Sequence, residues 1–255
     1  MYKRQFQEGA SGRRRFLDRL AWALEPTHAR EVAAHDNAMS QRNRLLAAGR
    51  ADPAWLAGLE DAMARHAVAA TAARRALVGR LNTVMAAGTA TGAFPAARMV
   101  LACPIGEALA EQPALAVEDA LRAALAGDRR RDAAAGGAAR GAHRADMGLV
   151  HLPKDQAAEL CSTGEQKALL ISTVLAHAAL IAEARGFAPL LLLDEVAAHL
   201  DAARREALFA ALAALPAQSF LTGTDAEVFR PLEGIADRFR ASPGKLVPEG
   251  ECGSR

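Results

Sequence analysis

Two strings decide how this chain folds: Cys161-Ser162-Thr163-Gly164-Glu165-Gln166-Lys167 and, downstream, Leu190-Leu191-Leu192-Leu193-Asp194-Glu195. The first reads as a Gly-containing turn that opens a helix, since small polar residues ahead of an apolar-periodic run cap free amides. Thr163 and Gln166 stand at capping-box spacing. Leu169, Thr173, Ala176 and Leu180 then keep to one helical face until Gly186, a natural C-cap. The second string reads as a buried strand of four leucines ending in two carboxylates. Pro189 precedes it, Asp201 can cap the next helix, and that helix stops before Pro216. Residues 218–222 and 237–241 read as further strands. A continuous apolar strand between helices belongs inside a parallel sheet, so the class is α/β.

Upstream of these strings the pattern is helical. One helix is expected over residues 27–48, ending at Gly49. Asp52-Pro53 opens another, an N-cap followed by Pro at the first helical position, which can run to about residue 87. Leu56, Met63, Ala70, Leu77 and Val84 recur at every seventh position, the spacing of a coiled-coil seam. This predicts a hairpin arm of two antiparallel helices; the alternative is a bundle helix packed on the body. A short strand is expected at 98–102, a helix at 117–126 that stops at Gly127, and a Gly/Ala-rich loop or junction at 133–141. The resulting division is 1–130 for the helical arm and junction (hairpin about 27–88) and 131–255 for the lobe carrying both motifs.

At 51% hydrophobic the chain can bury a core, while 4% aromatic residues leave few stacking platforms for single-stranded nucleic acid. The formal net charge of +2 does not by itself identify a nucleic-acid binder. The basic residues are lopsided, however: only Lys3, Lys154, Lys167 and Lys245 are lysine. Arginines cluster at Arg13-Arg14-Arg15 and Arg129-Arg130-Arg131, a pattern that suits phosphate recognition and equally suits solvated faces. Cys103, Cys161 and Cys252 lie far apart without C-x-x-C spacing, which argues against a disulfide framework or zinc site and fits a reducing cytosol. No apolar run is read as approaching the roughly 20 residues that span a bilayer. The first six residues lack the apolar core of a secretory leader, so the expectation is a cytoplasmic protein with no membrane partner.

In open α/β sheets ligands sit beyond the carboxyl ends of strands. Asp194 stands there and can hold Mg²⁺ at nucleotide phosphates, usually through water. Glu195, directly after it, can orient or deprotonate an attacking water. Ser162 and Gly164 sit at a helix N-terminus, where free amides favour an anion and a glycine lets it approach. Each string has a plainer reading, a polar strand end and a helix cap; their combination favours the chemical one. Thr222-Gly223-Thr224-Asp225 follows the next strand, where a hydroxyl can sense a terminal phosphate.

Taken in order, these strings resemble the RecF family of DNA replication and repair proteins. The resemblance rests on Glu8-Gly9-Ala10-Ser11 with Arg13-Arg14-Arg15-Phe16-Leu17-Asp18, and on Gly141-Ala142-His143-Arg144-Ala145-Asp146. It continues through residues 161–170, residues 190–201 and Thr222-Gly223-Thr224-Asp225. It implies the C-terminal lobe of an ABC/SMC-type P-loop ATPase head with an inserted helical arm. Ser162, Thr163, Gly164, Glu165 and Gln166 then match the signature motif, and Asp194 and Glu195 the Walker B pair. His199-Leu200-Asp201 matches the D-loop, and Thr224 the switch region. The family implies ATP and Mg²⁺ as cofactors, with Asp194 at the metal and Glu195 catalytic. It also implies single-stranded and gapped duplex DNA, an ATP-dependent homodimer, and RecR and RecO as partners in recombinase loading. Arg13, Arg14, Arg15, His143 and Arg144 are the nucleic-acid candidates.

Two departures matter. Gly141-Ala142-His143-Arg144 stands where the family usually has Gly-Pro-His-Arg. More serious, no Gly-x-x-x-x-Gly-Lys-Ser/Thr phosphate loop occurs in the 255 residues, and the first five do not look like the family there. The expectation is an N-terminally truncated fragment, inactive alone as an ATPase and poorly soluble. The alternatives are a non-hydrolysing interaction module and another ABC- or SMC-type head; a transporter ATPase is disfavoured by the threonine-bearing switch and the Glu-Gln-Lys continuation of the signature.

Overall fold

The computed structural model describes residues 9–49, 52–88 and 94–249. Glu8, and the side chain of His199, lie outside what it describes. In chain order come α1 (Ala10–Leu24), α2 (His28–Ala47), α3 (Pro53–Ala86), β1 (Ala97–Ala102), α4 (Pro104–Glu111), α5 (Ala114–Gly127) and α6 (Arg129–Ala135). Then follow β2 (Asp146–His151), β3 (Gln156–Ala157), α7 (Thr163–Arg185), β4 (Leu191–Leu193), α8 (Ala202–Ala214), β5 (Ser219–Leu221), β6 (Phe239–Ser242) and β7 (Lys245–Pro248).

Helix α7 sets the layering because it is apolar almost all round. Leu169, Leu170, Ala176 and Leu180 enter a core built with α1, the C-terminal half of α3, β1 and β2. Ala168, Ile171, Leu175 and Ala178 enter a second core with β4, α8 and Leu232. The face expected from Leu169, Thr173, Ala176 and Leu180 is thus one of two. Burying two faces also explains a property missed in the sequence: α7 is long and apolar enough to cross a membrane, with mean hydropathy 1.5. Most of that window is buried inside the fold, which marks a core helix.

The hairpin expectation is met in part. α2 and α3 pack along one another, and Leu56, Met63, Ala70 and Leu77 are buried, Val84 partly. But Met63, Ala67 and Val68 join a third core with Val117, Leu121 and Leu125 of α5, while Leu77, Val78, Leu81 and Met85 pack into the α7 core. The long helix is therefore also a body helix. β1 pairs antiparallel with β2, from Ala97 opposite His151 to Ala102 opposite Asp146, so packing crosses residue 130 without a seam. The expected 133–141 loop begins later, because α6 continues to Ala135 and ends at Gly136 in the left-handed region (φ 72°).

β4 and β5 pair in parallel, Leu192 opposite Phe220, as a buried parallel strand requires. The expectation of four buried leucines needs correcting. Leu191 and Leu193 are buried, whereas Leu190 is 63% and Leu192 70% exposed. Strand side chains alternate between faces, and among the described residues only one face of this sheet is covered. The strand expected at 237–241 is β6, an exposed hairpin with β7 that turns at Pro243-Gly244.

Candidate functional site

Ser162 leaves the helical conformation (φ −60°, ψ 154°) and caps α7. The backbone N–H of Glu165 donates to Ser162 Oγ at 3.4 Å, and Ser162 N–H donates back to Glu165 Oε2 at 3.0 Å. This reciprocal box corrects the expected Thr163–Gln166 pair by one residue. Gln166 instead turns its amide to the carbonyls of Glu159 (3.3 Å) and Cys161 (3.0 Å), pinning the approach to the helix. Ser162 and Thr163 remain exposed and Gly164 half-buried. The Ser162 hydroxyl donates to Glu165 Oε2 at 2.8 Å, and Lys154 Nζ meets Glu165 Oε1 at 2.6 Å. The Lys154 ammonium, followed by the Ser162 bonds, holds the Glu165 carboxyl down at about 2. Burial, aided by the Glu165 charge, pushes the Cys161 thiol up, and the side chain is buried at the approach to α7.

The N-terminus of α8 lies against this turn. Asp201 caps it, accepting from Arg204 N–H at 2.9 Å. Arg204 Nη1 stands 3.4 Å from Asp201 Oδ2 and 3.4 Å from where a β-carbon on Gly164 would lie. A side chain at 164 would therefore press on the guanidinium, and glycine gives the cation access to the turn.

At the carboxyl end of β4, Asp194 is exposed and Glu195 half-buried. Thr222, just past β5, donates its hydroxyl to Asp194 Oδ1 at 2.6 Å and accepts from Glu195 N–H at 3.1 Å. Thr222 N–H also continues the ladder to Leu193 O at 3.1 Å. Glu195 holds φ at 48°, a left-handed conformation that a residue with a β-carbon adopts only when its surroundings demand it. Sequence reading singled out Thr224 in this string, yet Thr222 meets the carboxylates and Thr224 stands exposed two residues on. The parallel register fixes that choice. Exposed carboxylate and hydroxyl oxygens at a strand end fit a water-mediated Mg²⁺; among the described residues no group of three or more metal-ligating side chains forms a closed cage.

The nucleic-acid candidates converge on one turn. Arg13 makes a two-pronged pair with Asp146 (2.8 and 2.6 Å) and reaches Glu159 at 3.2 Å. Arg14 donates to Ala145 O at 2.9 Å, and both His143 and Arg144 bond Ala138 O at 3.0 Å. Arg74, which sequence reading passed over, donates to Ala142 O at 2.7 Å and pairs with Asp18. Gly141 (φ 138°) passes so close to the buried His35 ring that a β-carbon would sit 2.6 Å from its Nε2. The bond from Arg13 holds the Asp146 carboxyl below its usual range, and burial pushes the His143 imidazole down. Arg15 is exposed on α1. In the other cluster, Arg129 pairs with the buried Glu60 and Arg131 with Asp128. Most of these arginines therefore serve the fold's own carboxylates and carbonyls.

No family model matches the chain. Curated relatives do. It is 48% identical over 242 residues to the DNA replication and repair protein RecF of Agrobacterium fabrum, covering 95% of this chain and 64% of that protein. It is 46% identical over 243 residues to RecF of Mesorhizobium japonicum, with the same coverage. The chain thus spans about two thirds of the length of the relatives it matches, at 64%. Among solved structures, the recombination mediator protein RecF-ATPrS in the RecFOR pathway superposes with a TM-score of 0.80 at 18% identity, covering 98% of this chain and 67% of that one. The ATP form gives 0.75 at 17% identity. These superpositions establish the fold over the shared span, a mixed α/β arrangement like that of those RecF chains.

Proposed function

We propose that the chain, which is similar to RecF of Agrobacterium fabrum over the span they share, acts as a RecF-like DNA replication and repair protein. Its role is to supply the signature face that closes over ATP held by a partner copy. The observation that carries this reading is the exposed N-terminus of α7, with Ser162 and Thr163 open to solvent and Arg204 of the neighbouring helix beside Gly164. Free amides at that turn favour a phosphate, and the helix dipole adds to them.

On this reading residues 131–255 are the nucleotide-handling lobe and 1–130 the arm and its junction. Ser162, Thr163, Gly164, Glu165 and Gln166 approach the partner's nucleotide. Asp194 serves a nucleotide on its own subunit, and Asp201 and Thr224 complete the set of nucleotide-contacting residues. Mg²⁺ would be held at Asp194 and would supply charge neutralisation for the phosphates. Glu195, its N–H fixed by Thr222, orients water. DNA with gaps is the substrate surface, with Arg13, Arg14, Arg15, His143 and Arg144 the candidate contacts, of which Arg15 is exposed on α1. RecR and RecO are the expected partners in recombinase loading, and the cytoplasm is the expected compartment.

The 255 residues contain no phosphate loop, so the purified polypeptide should hydrolyse no ATP above background in Mg²⁺. A steady-state assay checks this. Turnover that disappears in Glu195→Gln would overturn the division of roles.

A further inference from the structure

Glu165 is an awkward residue to find at an anion-receiving turn. Its carboxylate sits at the third position of α7, and Oε2 accepts both the N–H and the hydroxyl of Ser162. A bare carboxylate there would repel an incoming phosphate, and it would hold the only proton that Ser162 Oγ can donate. Lys154 changes both terms. It stands in the turn after β2, next to Asp155 in a left-handed conformation (φ 44°), and brings its ammonium to Glu165 Oε1 at 2.6 Å. With Oε1 on Lys154 and Oε2 on the Ser162 N–H, Glu165 stays bonded when the hydroxyl turns away, and the local charge is balanced.

We propose that Lys154 is a positioning residue of the signature face, neutralising Glu165 so that the Ser162 hydroxyl is free to swing onto a phosphate. The proposal rests on the reading above, in which this face closes over ATP bound to a partner copy. Lys154 itself need not touch the nucleotide: its charge is spent on Glu165, and the effect passes through Ser162. The pairing is not required for the helix to form, because the Ser162–Glu165 box caps α7 by itself.

The test titrates this chain, fluorescently labelled, with a complete RecF chain from Agrobacterium fabrum loaded with ATP, and reads anisotropy. Lys154→Met should weaken ATP-dependent association about tenfold, the size expected for one uncompensated charge at contact distance in a partly hydrated site. Lys154→Arg should keep most of the affinity. The double change Lys154→Met with Glu165→Gln should bind more tightly than Lys154→Met alone, because the charge that Lys154 offsets is gone. Thermal melts of all variants separate this from unfolding, since a merely structural role would lower the melting temperature in step with the affinity. Equal affinity for Lys154→Met and the unaltered chain would overturn the inference alone, as would a double variant no better than the single one. No ATP-dependent association by any chain, the unaltered one included, would overturn the underlying reading and this inference with it.

Discussion

At the scale of single residues, the turn that opens α7 is a competition for the two oxygens of Glu165. Glu165 is expected to titrate at about 2 instead of its ordinary 4.5, because Lys154 and Ser162 favour its charged form. Since the folded value is depressed, its contribution to stability is full above about 4.5 and is lost as pH falls towards 2. Side-chain carboxyl NMR checks this; a midpoint near 4.5 would mean the Lys154 contact does not persist in solution. The residue scale is also where sequence reading slipped. Thr163–Gln166 and Ser162–Glu165 have the same spacing, and only the backbone, which turns helical after Ser162, chooses between them. Thr222, which holds Asp194 and Glu195, is brought to them by the pairing of Leu193 with Leu221, a register that no local pattern gives. Glu195 at positive φ left no trace in the sequence.

At the scale of elements, the helices are tied together by buried ions. Arg42 on α2 is fully buried between Glu60 of α3 (3.0 Å) and Asp132 of α6 (2.7 Å), and it donates to Leu125 O at 2.6 Å. Replacing it with Met removes the cation and leaves Asp132 buried without it. We expect a loss of about 3–5 kcal/mol by chemical denaturation. A loss below about 1 kcal/mol, the range of surface pairs, would show that the network is hydrated. The elements themselves were legible: β1, α3, α5, α7, α8 and the β4–β5 pair follow from capping residues, apolar periodicity and turn residues. The fate of the arginines was not. Arg13, Arg74 and Arg129 find Asp146, Asp18 and Glu60, carboxylates so far along the chain that no local pattern joins them.

At the scale of the molecule, two cores share α7 and a third lies between the α2–α3 pair and α5, so the helices before residue 130 and the strands after it are packed together. The covered face of the parallel sheet belongs to this packing, and the other face shows Leu190, Leu192 and Phe220 to solvent. A change of Leu193 to Ala should cost about 2–5 kcal/mol, whereas Leu192→Asp should cost within about 0.5 kcal/mol of nothing. It should also raise the concentration at which the chain stays monodisperse, because an exposed apolar patch is interrupted. Light scattering and denaturant melts read both; equal destabilisation would mean that both faces of β4 are covered in solution. The sequence's run of four leucines could not disclose this, since a strand buried on two sides reads the same as one whose second cover lies in other residues.

The central claim is that the N-terminus of α7 is a face that closes on a partner's ATP. Sedimentation velocity on this chain mixed with complete RecF from Agrobacterium fabrum tests it most directly. The account predicts a mixed, faster-sedimenting species that requires ATP and is lost when Ser162 is changed to Arg, while the variant still melts cooperatively, at a temperature lowered only by the loss of the Ser162 cap. A mixed species indifferent to ATP and to Ser162→Arg, or no mixed species at all, would contradict it.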